Sequence, residues 1–250
     1  MFQNLLTFIR QWAQTIGIYG QVYGYLGGYS WAILCAIICR KYIPVIPFDD
    51  LQSLISKFFI FYSNFDWSSK SLGLYSKHFC KDYRGSMRIL CPTPPYNNTA
   101  RSTINSTRCL ITQAFRLACE TNSSELLQMS HLFPDQRIQS ILQLTLASQT
   151  LTELNQWIGY MKSRLAHLLI DCENNCDLFV QTDTKFISGK HSLERIYSIG
   201  FDRNEYVLSR HREFYYSLNR FFDQLKNYPH RKETMTISYK LISIKDFALK

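Results

Sequence analysis

The side chains best suited to chemistry in this sequence are its thiols, the adjacent carboxylates Asp49 and Asp50, and a glycine- and tyrosine-rich stretch from Gly17 to Gly28. The eight cysteines are Cys35, Cys39, Cys80, Cys91, Cys109, Cys119, Cys172 and Cys176. None forms a Cys-x-x-Cys pair, and no histidine falls at zinc spacing from a second ligand, so no metal site is expected. Cys35 and Cys39 lie one helical turn apart in an apolar run, the ordinary place for a buried thiol. Scattered thiols in a chain of this size fit a reducing compartment. Asp49 and Asp50 follow a proline-containing loop and read as the start of a helix rather than as metal ligands. Gly27 and Gly28 must form a turn, and what that turn serves depends on the elements around it.

Those elements come from periodicity. Leu5, Phe8, Ile9, Trp12, Ala13 and Ile16 make one face of a helix over residues 1–18, which the glycines then interrupt. Ser30 is expected to cap a second helix, Trp31 to Lys41, ending before Pro44 and Pro47. Asp49 or Asp50 caps a third through Leu51, Leu54, Ile55, Phe58 and Phe59. Residues 64–86 read as loop, Pro92, Pro94 and Pro95 open an extended segment, and 106–129 is helical. After Pro134 the period shortens: 138–147 alternates as a strand and 150–170 is an amphipathic helix. Strands follow at 178–182 and 195–201, then a helix over 205–227 and a strand over 234–244. The predicted class is α+β, with an all-helical domain over 1–135 followed by a ferredoxin-like βαββαβ domain over 136–250, the layout of RNA-recognition modules.

Composition narrows the partners. The net charge is +9, which favours a polyanion. It is spread evenly: residues 1–135 hold 12 Lys/Arg against 7 Asp/Glu, and residues 136–250 hold 16 against 12. A membrane reading competes, because no charge occurs from Gln11 to Cys39, the glycines at 20, 24 and 28 keep GxxxG spacing, and sequons begin at Asn97, Asn105 and Asn122. The Gly27-Gly28 pair would break a spanning helix near its middle, and Gln21 and three tyrosines lie in the same stretch, so no membrane association is expected.

Three stretches resemble the poly(A) polymerases. They are IRQWAQTIGIYGQVYGYLGGYSWAILCAIICRKY (9–42), SKFFIFYSNFDW (56–67) and MRILCPTPPYNNTARSTINSTR (87–108), with fainter similarity through 146–169 and 196–201. The resemblance implies that the first domain is the family's central domain, which binds the incoming ATP. By matched position, Arg10 faces phosphate, Tyr19 and Gln21 hold the nucleotide, Gly27 and Gly28 let the backbone come close, and Tyr29 stands next to the adenine. A cation near phosphates lowers repulsion, and helix-terminal N–H groups favour an anion. Several positions depart from the pattern: Arg10 replaces a lysine, Gln21 an asparagine, Tyr29 a small apolar residue, and Thr15-Ile16 a basic pair. The loop after Trp67 is shorter than in the family and lacks its prolines.

The resemblance further implies a nuclear, ATP-using polynucleotide adenylyltransferase acting on mRNA 3′ ends, with RNA and 3′-processing factors as partners. Its catalytic aspartates, and the Mg or Mn they hold, belong to an N-terminal nucleotidyltransferase domain not found in these residues, so the chain alone is expected not to polymerise. A noncatalytic RNA- or protein-binding role is the alternative. In the second domain, Arg210, Arg212, Arg231 and Lys232 are the candidate RNA contacts. Trp12, Trp31 and Trp67 are expected in the core.

Overall fold

A computed structural model describes residues 1–44, 47, 50–75, 84–189 and 191–248, and the chain divides into two compact units, Met1–Leu132 and Phe133–Lys250. Asp49, one of the two expected caps of the third helix, lies outside the described residues.

The first unit is built on helices α1 (Phe2–Thr15), α2 (Gly28–Tyr42), α3 (Leu51–Ser63) and α4 (Asn105–Glu120). On α1 only Leu5, Ile9, Trp12 and Ala13 are buried, the spacing of a single stripe. By contrast, α2 is apolar nearly all round and buries Trp31, Ile33, Leu34, Cys35, Ile37, Ile38 and Cys39, as a helix enclosed by its neighbours must. The apolar run that suggested a membrane is therefore a core helix of 15 residues. Among the described residues no helix is long and apolar enough to cross a membrane.

An aromatic cluster joins the four helices. Phe115 of α4 lies 6.0–6.2 Å from the rings of Trp12, Trp31 and Trp67, and packs against Phe58 and Tyr62 of α3. Trp12, Trp31 and Trp67 are all buried, as expected. Their N–H groups donate to Met129 Sδ, Leu26 O and Tyr62 O, which removes the cost of enclosing an unpaired donor.

Several local expectations need correction. The unit is not all helical, because β1 (Ser71–Leu72) and β2 (Arg88–Ile89) form a short parallel pair. Ser30 does not cap α2. The helix begins earlier, with extended Gly27 as its N-cap, and Ser30 Oγ instead donates to Thr99 Oγ1 at 3.0 Å. Asp50 does cap α3, accepting from the Ser53 N–H at 2.9 Å. The last helix stops at Glu120, where Thr121 turns extended, rather than at Met129.

The second unit holds β3 (Ser140–Ala147), α5 (Leu151–Cys176), β4 (Val180–Thr182), β5 (Ile187–Ser188), β6 (Glu194–Phe201), α6 (Glu205–Leu208), α7 (Arg212–Lys226), β7 (Thr236–Ser243) and α8 (Ile244–Ala248). The sheet runs β4-β6-β3-β7, antiparallel throughout, with β5 also on β6, so it has five strands where four were expected. Period two sends Leu142, Leu144 and Leu146 to one face, in register with Ile199 and Tyr197 of β6. On that face α5 and α7 pack, with Phe214 edge-on to Phe201 and Phe222 stacked on Tyr239. The other face carries a smaller cluster of Ile138, Ile141 and Ile242, joined by Phe133, Phe179, Ile244 and Phe247. The helix expected over 205–227 is two helices. His211 breaks it by taking extended geometry and accepting the Phe214 N–H on its Nδ1, so that α7 starts afresh.

Candidate functional site

The loop joining α1 to α2 brings three of the sequence-predicted residues together. Arg10 projects from the exposed side of α1, and its Nε donates to the Tyr19 hydroxyl at 3.3 Å. The Gly28 backbone closes the triangle: a methyl group there would lie 2.5 Å from Arg10 Nη2 and 2.7 Å from the Tyr19 oxygen. The loop reaches this shape because Gly20 takes φ +121°, out of reach for most side chains, and its N–H donates to Leu26 O at 3.0 Å. Tyr19 is thereby bridged to Leu26, one residue ahead of the glycine pair.

The start of α2 has no side-chain cap and no carboxylate in its first turn. Its amide end carries partial positive charge, and Arg10 adds a full one beside it. A guanidinium, a phenol and helix-terminal amides form an anion-seeking set. They do not fit a divalent cation, which needs carboxylate or carbonyl oxygens. Among the described residues no group of three or more His, Cys, Asp or Glu could hold a metal ion.

Gln21 lies against the Gly27 side of the turn, its Oε1 3.7 Å from where a Gly27 methyl would stand. Tyr29 is 53% exposed and reaches away to Cys91, with hydroxyl and thiol 3.3 Å apart. Cys91 in turn meets Thr93 Oγ1 at 3.2 Å. Hydrogen bonds from Thr93 and Tyr29 favour the thiolate and pull the Cys91 thiol below its usual range, and the same contact raises the Tyr29 phenol.

Sequence reasoning missed the segment that supports this turn. Buried Asn98 accepts the N–H groups of Ile89 and Ala100 and donates to the carbonyls of Arg84 and Met87. Next to it, Thr99 receives Ser30 and donates to Ile89 O at 2.9 Å. The signal was present in the Asn-Asn-Thr stretch at 97–99, which reads equally well as a sequon.

In the second unit the four candidate RNA contacts do not form one patch. Arg210 lies over the Tyr206 ring, 3.9 Å from its centroid, and touches the Tyr206 hydroxyl. Arg212 opens α7, and both arginines are exposed. Arg231 and Lys232 follow the other end of that helix, whose 15 residues span about 22 Å. Lys232 is paired with Glu153 at 2.6 Å. Lys232 and Ser148 hold the Glu153 carboxyl below its ordinary range. Arg231 instead lines a groove of about 460 Å³ with Trp157, Phe222, Lys226 and Tyr239.

Residues 1–134 match the family model described as poly(A) polymerase central domain. The chain is 28% identical over 193 residues to nuclear poly(A) polymerase 1 of Arabidopsis thaliana, covering 70% of this chain and 26% of that protein. Against nuclear poly(A) polymerase 3 of the same plant it is 27% identical over 200 residues, covering 74% and 39%. The chain thus spans between a quarter and two fifths of these relatives. A solved cytoplasmic RNA terminal U-transferase aligns over 53% of this chain and 55% of its own at 17% identity and TM-score 0.39, too distant to carry an argument. With more than half of its residues matched to one domain model, the chain belongs to the poly(A) polymerase family, and residues 1–134 are its central domain.

Proposed function

We propose that this chain provides the nucleotide- and RNA-holding parts of a polynucleotide adenylyltransferase that extends mRNA 3′ ends in the nucleus. The observation that carries the reading is the convergence of the Arg10 guanidinium and the Tyr19 hydroxyl on the Gly28 backbone, at the amide end of α2. In this role Arg10 and the first amides of α2 take ATP phosphate oxygens. Tyr19 and Gln21 hold the ribose or base across Gly27-Gly28, and exposed Tyr29 flanks the adenine. ATP is a substrate here. The Mg or Mn of the reaction would sit with carboxylates contributed from beyond these residues, and supplies charge neutralisation for in-line transfer.

The second unit supports RNA binding through its fold. Four long or short antiparallel strands in the order β4-β6-β3-β7, with α5 and α7 on one face, correspond to a ferredoxin-like, RNA-recognition-type domain. Arg210 and Arg212 are the better placed phosphate contacts, since Lys232 is already neutralised by Glu153. Processing factors that deliver cleaved transcripts are the protein partners such an enzyme requires.

The test is ATP-dependent extension of a labelled RNA primer by the native gene product, compared with its Arg10→Ala form. Losing a charged phosphate contact should lower kcat/KM by about ten- to a hundredfold. Full activity in the variant would remove Arg10 from the site. A native product that retains RNA but adds no adenylate would establish the noncatalytic reading instead.

A further inference from the structure

The outer edge of the second unit's sheet is built to receive another strand. β7 lies at the end of the strand order and pairs only with β3. The Ile244 N–H donates to Gln139 O at 3.0 Å, which marks 139/244 as a hydrogen-bonded pair. In an antiparallel ladder such pairs alternate, so the inward backbone groups of β7 belong to Ile242, Lys240 and Ser238. Those of Ile237, Tyr239 and Leu241 point outward, and among the described residues none of them has a backbone partner. Natural proteins protect or use such an edge.

Beside this edge runs the groove already met. Its floor and walls are Trp157, Phe222, Leu225 and Tyr239, with Lys226 and Arg231 at the rim, and it holds about 460 Å³. Ile237 and Tyr239, whose amides face outward, also contribute side chains to the groove. An added strand would therefore bond to β7 while every second side chain dropped between β7 and α7. Tyr239 is 44% exposed and stacked on Phe222, so the apolar surface awaiting that side chain is ready-made.

Charge selects the occupant. Residues 224–245 carry five cations (Lys226, Arg231, Lys232, Lys240 and Lys245) against one carboxylate, Glu233. Of these, Lys226 meets Asp223, from just outside that span, at 2.9 Å on the surface, and Lys232 is taken by Glu153. A second copy of the chain, edge to edge, would set these cations against their own kind. RNA offers the right charge but no amide row to match the strand. We propose that β7 and the groove beside it bind an extended acidic peptide, an aliphatic or aromatic side chain alternating with carboxylates, by strand addition.

The proposal stands apart from nucleotide binding, and its test uses neither ATP nor activity. The probe is an end-blocked, fluorescein-labelled peptide, Glu-Val-Asp-Phe-Glu-Val-Asp, titrated into the full chain by anisotropy, with amide hydrogen exchange read residue by residue. Saturable binding is expected, with new protection at Ile237, Tyr239 and Leu241. Methylating alternate peptide nitrogens should abolish it, and Lys226→Glu with Arg231→Glu should weaken it at least about tenfold at unchanged thermal stability. The exchange map decides the matter even if the double variant fails to fold. Four outcomes overturn the proposal: no binding; equal binding of the lysine-for-carboxylate peptide; protection elsewhere; or oligoadenylate protecting the same amides, which would make the groove an RNA site. Self-association through β7 in place of peptide binding would overturn it as well.

Discussion

Replacing Asn98 by alanine should unfold the first unit at a markedly lower denaturant concentration, because one side chain completes four backbone hydrogen bonds there. Asn98 is 2% exposed. Its Oδ1 accepts from Ile89 and Ala100 at 3.0 Å each, and its Nδ2 donates to Arg84 O and Met87 O at 2.7 and 2.8 Å. Alanine would leave two N–H and two C=O groups unpaired in a buried place. Each such bond contributes about 1 kcal/mol net, and each orphaned buried group costs about 1–3 kcal/mol unless water reaches it. Allowing for partial rescue by water, the loss should be about 3–5 kcal/mol, a large share of the roughly 5–15 kcal/mol that holds a domain folded. For a unit of this size that corresponds to a fall in Tm of roughly 10–20 °C. Urea unfolding followed by tryptophan fluorescence measures it directly, since Trp12, Trp31 and Trp67 of the four tryptophans belong to this unit. Asn98→Asp adds a signed check. A carboxylate facing two carbonyls would have its folded-state pKa raised, so its stability relative to the parent is retained in acid and lost as pH rises through that value. A loss below about 1 kcal/mol in the alanine variant would refute the assignment of Asn98 as the pin of this segment.

Further outcomes follow from the same geometry. Gly17 has φ +80° and a methyl group there would strike the His131 ring, so Gly17→Ala should cost more than about 2 kcal/mol in the same urea assay. Gly28→Ala meets only the movable tips of Arg10 and Tyr19 and should change stability by less than about 1 kcal/mol, while the Arg10 Nε–H resonance moves as its bond to Tyr19 breaks. Because Thr93 and Tyr29 stabilise the Cys91 thiolate, Tyr29→Phe should raise that thiol and slow its alkylation severalfold near neutral pH, read by peptide mass spectrometry against exposed Cys109. The Glu153 carboxyl is held below its ordinary 4.5, so its contribution to the second unit is complete above that pH and disappears as pH falls through the lower, folded-state value; thermal melts of Glu153→Gln should lose this acid dependence.

Much of the fold was legible because burial of one face leaves a period in the chain. The stripe Leu5, Ile9, Trp12 gave α1, and the alternation in 140–147, 194–201 and 236–243 placed the three long strands, so the mixed α+β class could be read directly. The same logic failed where a single residue outweighs the pattern. Apolar spacing runs unbroken from Tyr206 through Phe221, yet His211 prefers to cap, and two helices result. The pair β1/β2 has only two residues per strand, too short for any period to register.

The candidate site divides in the same way. Residue types and order identified Arg10, Tyr19, Gln21 and the glycine pair, since a cation, an aromatic and a flexible turn near one another in sequence imply an anion-holding loop. Only the folded chain shows that Arg10 and Tyr19 converge on Gly28 while Tyr29 turns to a thiol 62 positions away and Ser30 to a hydroxyl 69 positions away. It also shows that the four basic residues of the second unit are split between the two ends of α7. Local backbone preference and hydrophobic period act over a few residues and are written into the sequence. Which distant polar groups meet is set by how the helices and sheet pack, a long-range outcome that no short window of residues contains.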